Sequence, residues 1–333
     1  GSGTWSLGSG AATITTATLS TTGITGLTVG ASATLRWTIS NGGCTASTDD
    51  VIIRVDALPT TAAAGADQNL CNVTTTTLAG NTPATGSGTW SVVSGAATIT
   101  TATLSTTGIT GLTVGASATL RWTISNGSCA NSTDDVTITI SSPPTTSAAG
   151  VDQNLCNVTS TTLAGNIAVN GSGVWTIVSG AATTTTPASP TTTLTGLTIG
   201  DSVTLRWTIT NGACGTSTDD VIISVDALPT TSAAGPDQSL CNVTTATLAG
   251  NIAASGTGAW TTISGTAVVT TPSSNTSGVT GLTIGAASTL RWTISNGACA
   301  ASTDDIIISV SSLPTAANAG PDQSLCNVTT STL

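Results

Sequence analysis

The chain has 333 residues, a formal net charge of −10, and only 6% charged side chains. Its five bases are all Arg, its fifteen acids are all Asp, and His, Met, Tyr and Phe are absent. Without Lys or Glu there is little to build helix surfaces. Without clustered bases there is no patch for nucleic acid or an anionic membrane. The missing His, Glu, Lys and Tyr remove most general acid–base and nucleophilic chemistry, so no enzymatic activity and no catalytic residue is expected.

Self-similarity sets the organisation. Cysteines fall at 44, 71, 129, 156, 214, 241, 299 and 326, with gaps alternating 27 and 58, and the eight Trp alternate by 32 and 53. Either pair of gaps gives the same step, 27 + 58 = 32 + 53 = 85, which is the repeat period. Pro59, Pro144, Pro229 and Pro314 recur at that step after an STDD strand, where proline ends a strand and stiffens a connection. The expected domains are therefore a partial repeat 1–58, full repeats 59–143, 144–228 and 229–313, and the opening strands of another repeat over 314–333.

Within one period, seven strand-like runs follow in chain order. They are TTAAAGADQ, TTTTLAGN, GTWSVVSG, AATITT, TTGITGL, ATLRWTISNG and DDVTITI. Thr, Val and Ile suit half-buried pleated strands, and the Asn-Gly after the sixth run signals a hairpin into the seventh. Val136, Ile138 and Ile140 alternate with polar neighbours and face one side. Seven short strands per period indicate an all-β fold, a tandem array of immunoglobulin-like sandwiches. Trp90, Trp175 and Trp260 are expected on the third strand, and Trp122, Trp207 and Trp292 on the sixth, as central strands of opposed packing. All six are read as core, since a unit has no other aromatics; a carbohydrate-stacking platform is the functional alternative.

The run A-G-x-D-Q…C…T-L-A-G-N, G-x-G-x-W, G-L-T-[VI]-G, L-R-W-T-I-[ST]-N-G-x-C and S-T-D-D resembles the PKD-like, immunoglobulin-like repeats of giant Bacteroidota surface proteins, among them gliding-motility adhesins. That resemblance implies type IX secretion and display on the bacterial cell surface. The expected role is a structural stalk or filament segment projecting a distal adhesive tip. The alternative is that the repeats themselves are multivalent glycan- or protein-binding modules. Expected partners are neighbouring repeats, laterally associating copies, and a surface glycan or substratum; nucleic acid and direct membrane insertion are not among them.

Two chemistries remain. Asp67, Asp152, Asp219, Asp220, Asp304 and Asp305 are oxygen donors of the kind Ca²⁺ takes. The competing reading is solvated carboxylates at a strand edge, one of them meeting the outward Arg of the next strand. Cysteines outside the cell are expected to oxidise. In an antiparallel sandwich Cys71 and Cys129 lie at opposite poles, whereas Cys71 and Cys214 meet where one unit abuts the next. Cys71–Cys214 and Cys156–Cys299 are therefore favoured, with the intradomain set Cys71–Cys129, Cys156–Cys214 and Cys241–Cys299 as the alternative. Staples of the first kind would bring Asp67 near Asp219 and Asp220.

Overall fold

The structure, a computed structural model, describes residues 1–333. It is built of strands, with one 3₁₀ turn at Gly212–Cys214 and no helix long and apolar enough to cross a membrane. Two compact units are present. The first comprises Gly1–Thr146, Ala168–Ser172 and Ile209–Ser217; the second comprises Ser147–Ile167, Gly173–Thr208 and Thr218–Leu333.

Residues 59–143, in the first unit, show the design. Seven strands follow in order: β1 (Gln68–Cys71), β2 (Thr76–Ala79), β3 (Ser87–Ser94), β4 (Thr98–Ile99), β5 (Thr106–Thr110), β6 (Ser117–Ser125) and β7 (Ser132–Ser141). One sheet has the order β1-β7-β6-β3 and the other β2-β5-β4. All pairings are antiparallel except β1 with β7, which run parallel with Cys71 level with Ser141. The same four-plus-three arrangement recurs in residues 144–228 and 229–313. The chain is a tandem series of immunoglobulin-like β-sandwiches.

Period-two alternation decides which faces are dry. Val136, Ile138 and Ile140 on β7 and Leu120, Trp122 and Ile124 on β6 point inward against Leu78 and Ile109 of the facing sheet. In the second unit Leu290, Trp292, Ile294, Ile306, Ile308 and Val310 repeat this core against Leu248 and Val279. The outward Arg121 and Asp135 are direct cross-strand partners, so the face that carries them stays in water.

The first expected strand, residues 60–68, is not one. Its segment 60–67 pairs with no ladder; Ala62 N–H donates to Ser132 Oγ at 2.8 Å and Ala64 N–H to Asp134 Oδ2 at 2.7 Å. Side chains substitute for ladder acceptors and press Ala62 and Ala64 into the core. The paired strand begins only at Gln68.

The tryptophans also differ from expectation. Trp90 and Trp122 sit on β3 and β6, but these strands are neighbours in one sheet, and the two residues are direct register partners. Their rings lie 5.0 Å apart at 40°. The pair fits because Gly88 leaves the space beneath the second indole empty: a Cβ on Gly88 would lie 2.0 Å from Trp122 Cζ2. Trp122 Nε1–H donates to Asn81 and Trp90 Nε1–H to Ser105 O at 3.1 Å, so each buried indole keeps a partner.

Candidate functional site at the inter-repeat junctions

The parallel β1–β7 pair carries Cys71 to the last residue of β7, and Asn72, at φ 50°, turns the chain back there. Asn tolerates this left-handed conformation better than most residues. Asn72 N–H donates to Ser141 O at 2.9 Å. The turn Asn211–Cys214, which joins the strands Ser202–Thr210 and Thr216–Asp226, folds onto the same end of β7. Asn211 Nδ2 donates to Ser142 O at 2.8 Å. Gly212 has φ 50°, the left-handed region that favours glycine, and a Cβ there would come within 2.2 Å of Ser141 Oγ and displace that hydroxyl.

Cys71 and Cys214 are joined there by a disulfide, with Cα atoms 4.7 Å apart. In the second unit Cys156 and Cys299 are joined in the same way, Cα atoms 4.8 Å apart. The intradomain alternative is not formed. Cys71 is level with the end of β7 and Cys129 precedes its start, and the length of that strand separates those levels by roughly 30 Å. A disulfide needs Cα atoms within about 7 Å. Cys44, Cys129, Cys241 and Cys326 are free thiols.

Hydrogen bonds repeat at each junction beside the cysteines. Asn126 Nδ2 donates to Ala57 O and Asn296 Nδ2 to Ala227 O, both at 2.8 Å. Asp56 Oδ2 accepts from Ser128 N–H at 2.7 Å, and Asp226 Oδ2 accepts from Ala298 N–H at 2.7 Å. The bond from the Ser128 backbone holds the Asp56 carboxyl below its usual range, partly opposed by desolvation. Ser141 occupies the corresponding place at the junction that carries Cys71–Cys214. The Asn clamp was not singled out from sequence, although its signal is present in the invariant N-G-x-C of every period.

The carboxylates do not assemble a calcium site. No group of three or more His, Cys, Asp or Glu side chains that could hold a metal is present. Each Asp has a separate task. Asp67 Oδ1 accepts from Thr137 N–H and Asp152 Oδ1 from Ile222 N–H, each at 2.8 Å. Asp219 and Asp304 accept from Ala149 and Ala234 N–H at 2.7 Å. Asp220 and Asp305 form two-point pairs with Arg206 and Arg291 at 2.7–2.9 Å. Hydrogen bonds from these guanidinium groups hold both carboxyls below their ordinary range. Each of these carboxylates is thus directed to a backbone amide or an Arg.

No family model matches the chain, and no curated protein matches it. Among solved structures it is similar to the three titin domains I67–I69, with a TM-score of 0.44 and 12% identity over 77% of this chain and 99% of that one. It is similar to the eight N-terminal immunoglobulin domains of Down Syndrome Cell Adhesion Molecule, with a TM-score of 0.48 and 13% identity over 92% of this chain and 45% of that one. Extracellular domains 3–5 of Drosophila OTK give 0.40 and 10% over 74% and 95%. The fold assignment itself rests on the strand order and core described above.

Proposed function

We propose that the chain is a load-bearing stalk segment of a large bacterial surface protein, exposed outside the cell and carrying a distal binding tip. The observation that supports this most directly is the overlap of the two disulfides. Cys71–Cys214 and Cys156–Cys299 each close across a junction, and the stretch from 156 to 214 lies inside both loops. Force applied along the chain then passes through a covalent staple where repeat 59–143 meets 144–228 and where 144–228 meets 229–313. Disulfides of this kind persist in an oxidising compartment, in keeping with an extracellular location. The resemblance to type IX-secreted gliding adhesins points the same way, and the repeats 59–143, 144–228 and 229–313 would be the stalk's mechanical units.

A second reading has one observation in its favour. The outer end of β3 is a sheet edge that exposes Val92 and Val93, and Ile177 and Val178 repeat the feature. An exposed apolar edge is a contact surface. A glycan-array and cell-adhesion screen of the whole chain separates the two readings. A stalk segment gives no retention above background, whereas saturable binding to one glycan class would replace the stalk reading with multivalent recognition.

A further inference from the structure

The asparagines that clamp the junctions are each followed by glycine: Asn126–Gly127, Asn211–Gly212 and Asn296–Gly297. The fold demands that glycine. Gly127, Gly212 and Gly297 have φ of 55°, 50° and 49°, the left-handed region. A Cβ at Gly127 would lie 1.9 Å from Asp56 Oδ2, and one at Gly297 would lie 1.9 Å from Asp226 Oδ2, so the preceding segment presses against the peptide that follows each asparagine. The same missing Cβ leaves the glycine nitrogen unshielded beside the asparagine carboxamide. That nitrogen is the nucleophile that makes Asn thermolabile.

The clamp restrains this chemistry. Asn126 Nδ2 donates to Ala57 O at 2.8 Å. Asn211 Nδ2 donates to Ser142 O at 2.8 Å and to Ser142 Oγ at 3.1 Å, and Asn296 Nδ2 donates to Ala227 O at 2.8 Å and to Ser255 Oγ at 3.2 Å. All three asparagines are half-buried. For the glycine nitrogen to reach Cγ the carboxamide must rotate and Nδ2 must leave, and both steps break these bonds. Asn170–Gly171 lies outside the clamps, with Asn170 exposed.

We propose that Asn126, Asn211 and Asn296 are spontaneous modification sites, protected while a junction is closed and converted to aspartate or isoaspartate once it opens. The only co-reactant is water. At Asn211 the Gly212 nitrogen bonds to Cγ and gives up its proton, the Cγ–Nδ2 bond breaks, and ammonia leaves with that proton. Water then opens the cyclic imide at either carbonyl, and nothing is oxidised or reduced. The product carboxylate has no proton to donate to the carbonyl that the amide held, so the clamp does not re-form. The hydroxyls of Ser142 and Ser255, which accept from the amides, can turn and donate to the product instead. At the Asn296 junction Asp226 opposes the new charge, whereas at the Asn211 junction Ser141 stands in that place. Conversion therefore drives the first junction apart and merely loosens the second.

The test holds the purified, oxidised chain in warm neutral buffer for several weeks and follows each site by peptide mapping with isoaspartyl methyltransferase detection. Asn170 is expected to convert about fivefold faster than Asn211 and Asn296, or more, the factor that one hydrogen bond supplies. Cys214→Ser removes the staple beside Asn211 and is expected to raise the Asn211 rate about fivefold while leaving Asn296 unchanged, with Trp fluorescence confirming that the sandwiches stay folded. Dithiothreitol applied to the unmodified chain is expected to raise both rates. Asn296→Asp should speed hydrogen exchange at residues 226 and 227 more than Asn211→Asp does at 141 and 142. Equal rates at Asn170 and the clamped sites, no conversion at the clamped sites after reduction, an Asn211 rate indifferent to Cys214→Ser and to dithiothreitol, or equal exchange in the two Asp variants would each overturn the proposal.

Discussion

Pulling on the chain from Gly1 and Leu333 in a single-molecule force experiment reads the disulfide topology as a length. With both staples closed, the shortest covalent route from Cys71 to Cys299 crosses to Cys214, runs back along the stretch 156–214, and crosses again at Cys156. The stretches 71–156 and 214–299, one period each, are bypassed and locked. At about 3.3–3.6 Å per residue they amount together to about 560–610 Å of contour length that only a reductant releases. Opening one staple with Cys214→Ser leaves only the loop closed by Cys156–Cys299, of sequence separation 143, or about 470–515 Å. The discriminating variant is Cys129→Ser. Cys129 belongs to neither staple, so the whole locked length is retained. Pairing within each repeat would lock nearly the same total in the unmodified chain but would free the stretch 71–129 in this variant, roughly 200 Å. A shortfall of that size in Cys129→Ser would refute the stapled topology and remove the main support for the stalk.

Three further outcomes are expected. Gly258→Ala places a Cβ 2.2 Å from Trp292 Cζ2, and overpacking of this kind costs about 1–3 kcal/mol. At ~4–8 °C per kcal/mol for a domain of this size, one melting step followed by Trp fluorescence drops by about 5–20 °C, while Gly43→Ala, with open space around it, leaves melting unchanged. The carboxyls of Asp50, Asp135, Asp220 and Asp305 are lowered by their Arg hydrogen bonds, so their stabilisation is fully present above about pH 4 and is lost as pH falls through the lowered folded values. Acid titration by circular dichroism should show that loss, and a combined Asp135→Asn, Asp220→Asn and Asp305→Asn variant should flatten it. Asn126→Ala removes the clamp on Ala57 O, a bond worth about 1 kcal/mol, and hydrogen exchange at the amides of residues 56–60 should speed up roughly fivefold without a change in the core strands.

Much of this was legible in the amino-acid order. The repeat period, six of the seven expected strands, the inward set Val136, Ile138 and Ile140, and the Arg–Asp pairing across β6 and β7 all follow from alternation and spacing, because a pleated strand sends every second side chain to the same face. The poles of the sandwich also followed from strand counting, which is why Cys71 could be ranked nearer Cys214 than Cys129. Three features waited for the fold. Ala62 and Ala64 read as strand residues, but the side chains of Ser132 and Asp134, far along the chain, replace their ladder. Trp90 and Trp122 read as facing residues, yet register within one sheet makes them neighbours. The recurrent Asp residues offered the donor chemistry of a calcium site, and composition says nothing about where lone pairs point; the tertiary structure directs each carboxylate to its own amide or guanidinium, since a buried backbone donor must find an acceptor and the nearest one available was Asp.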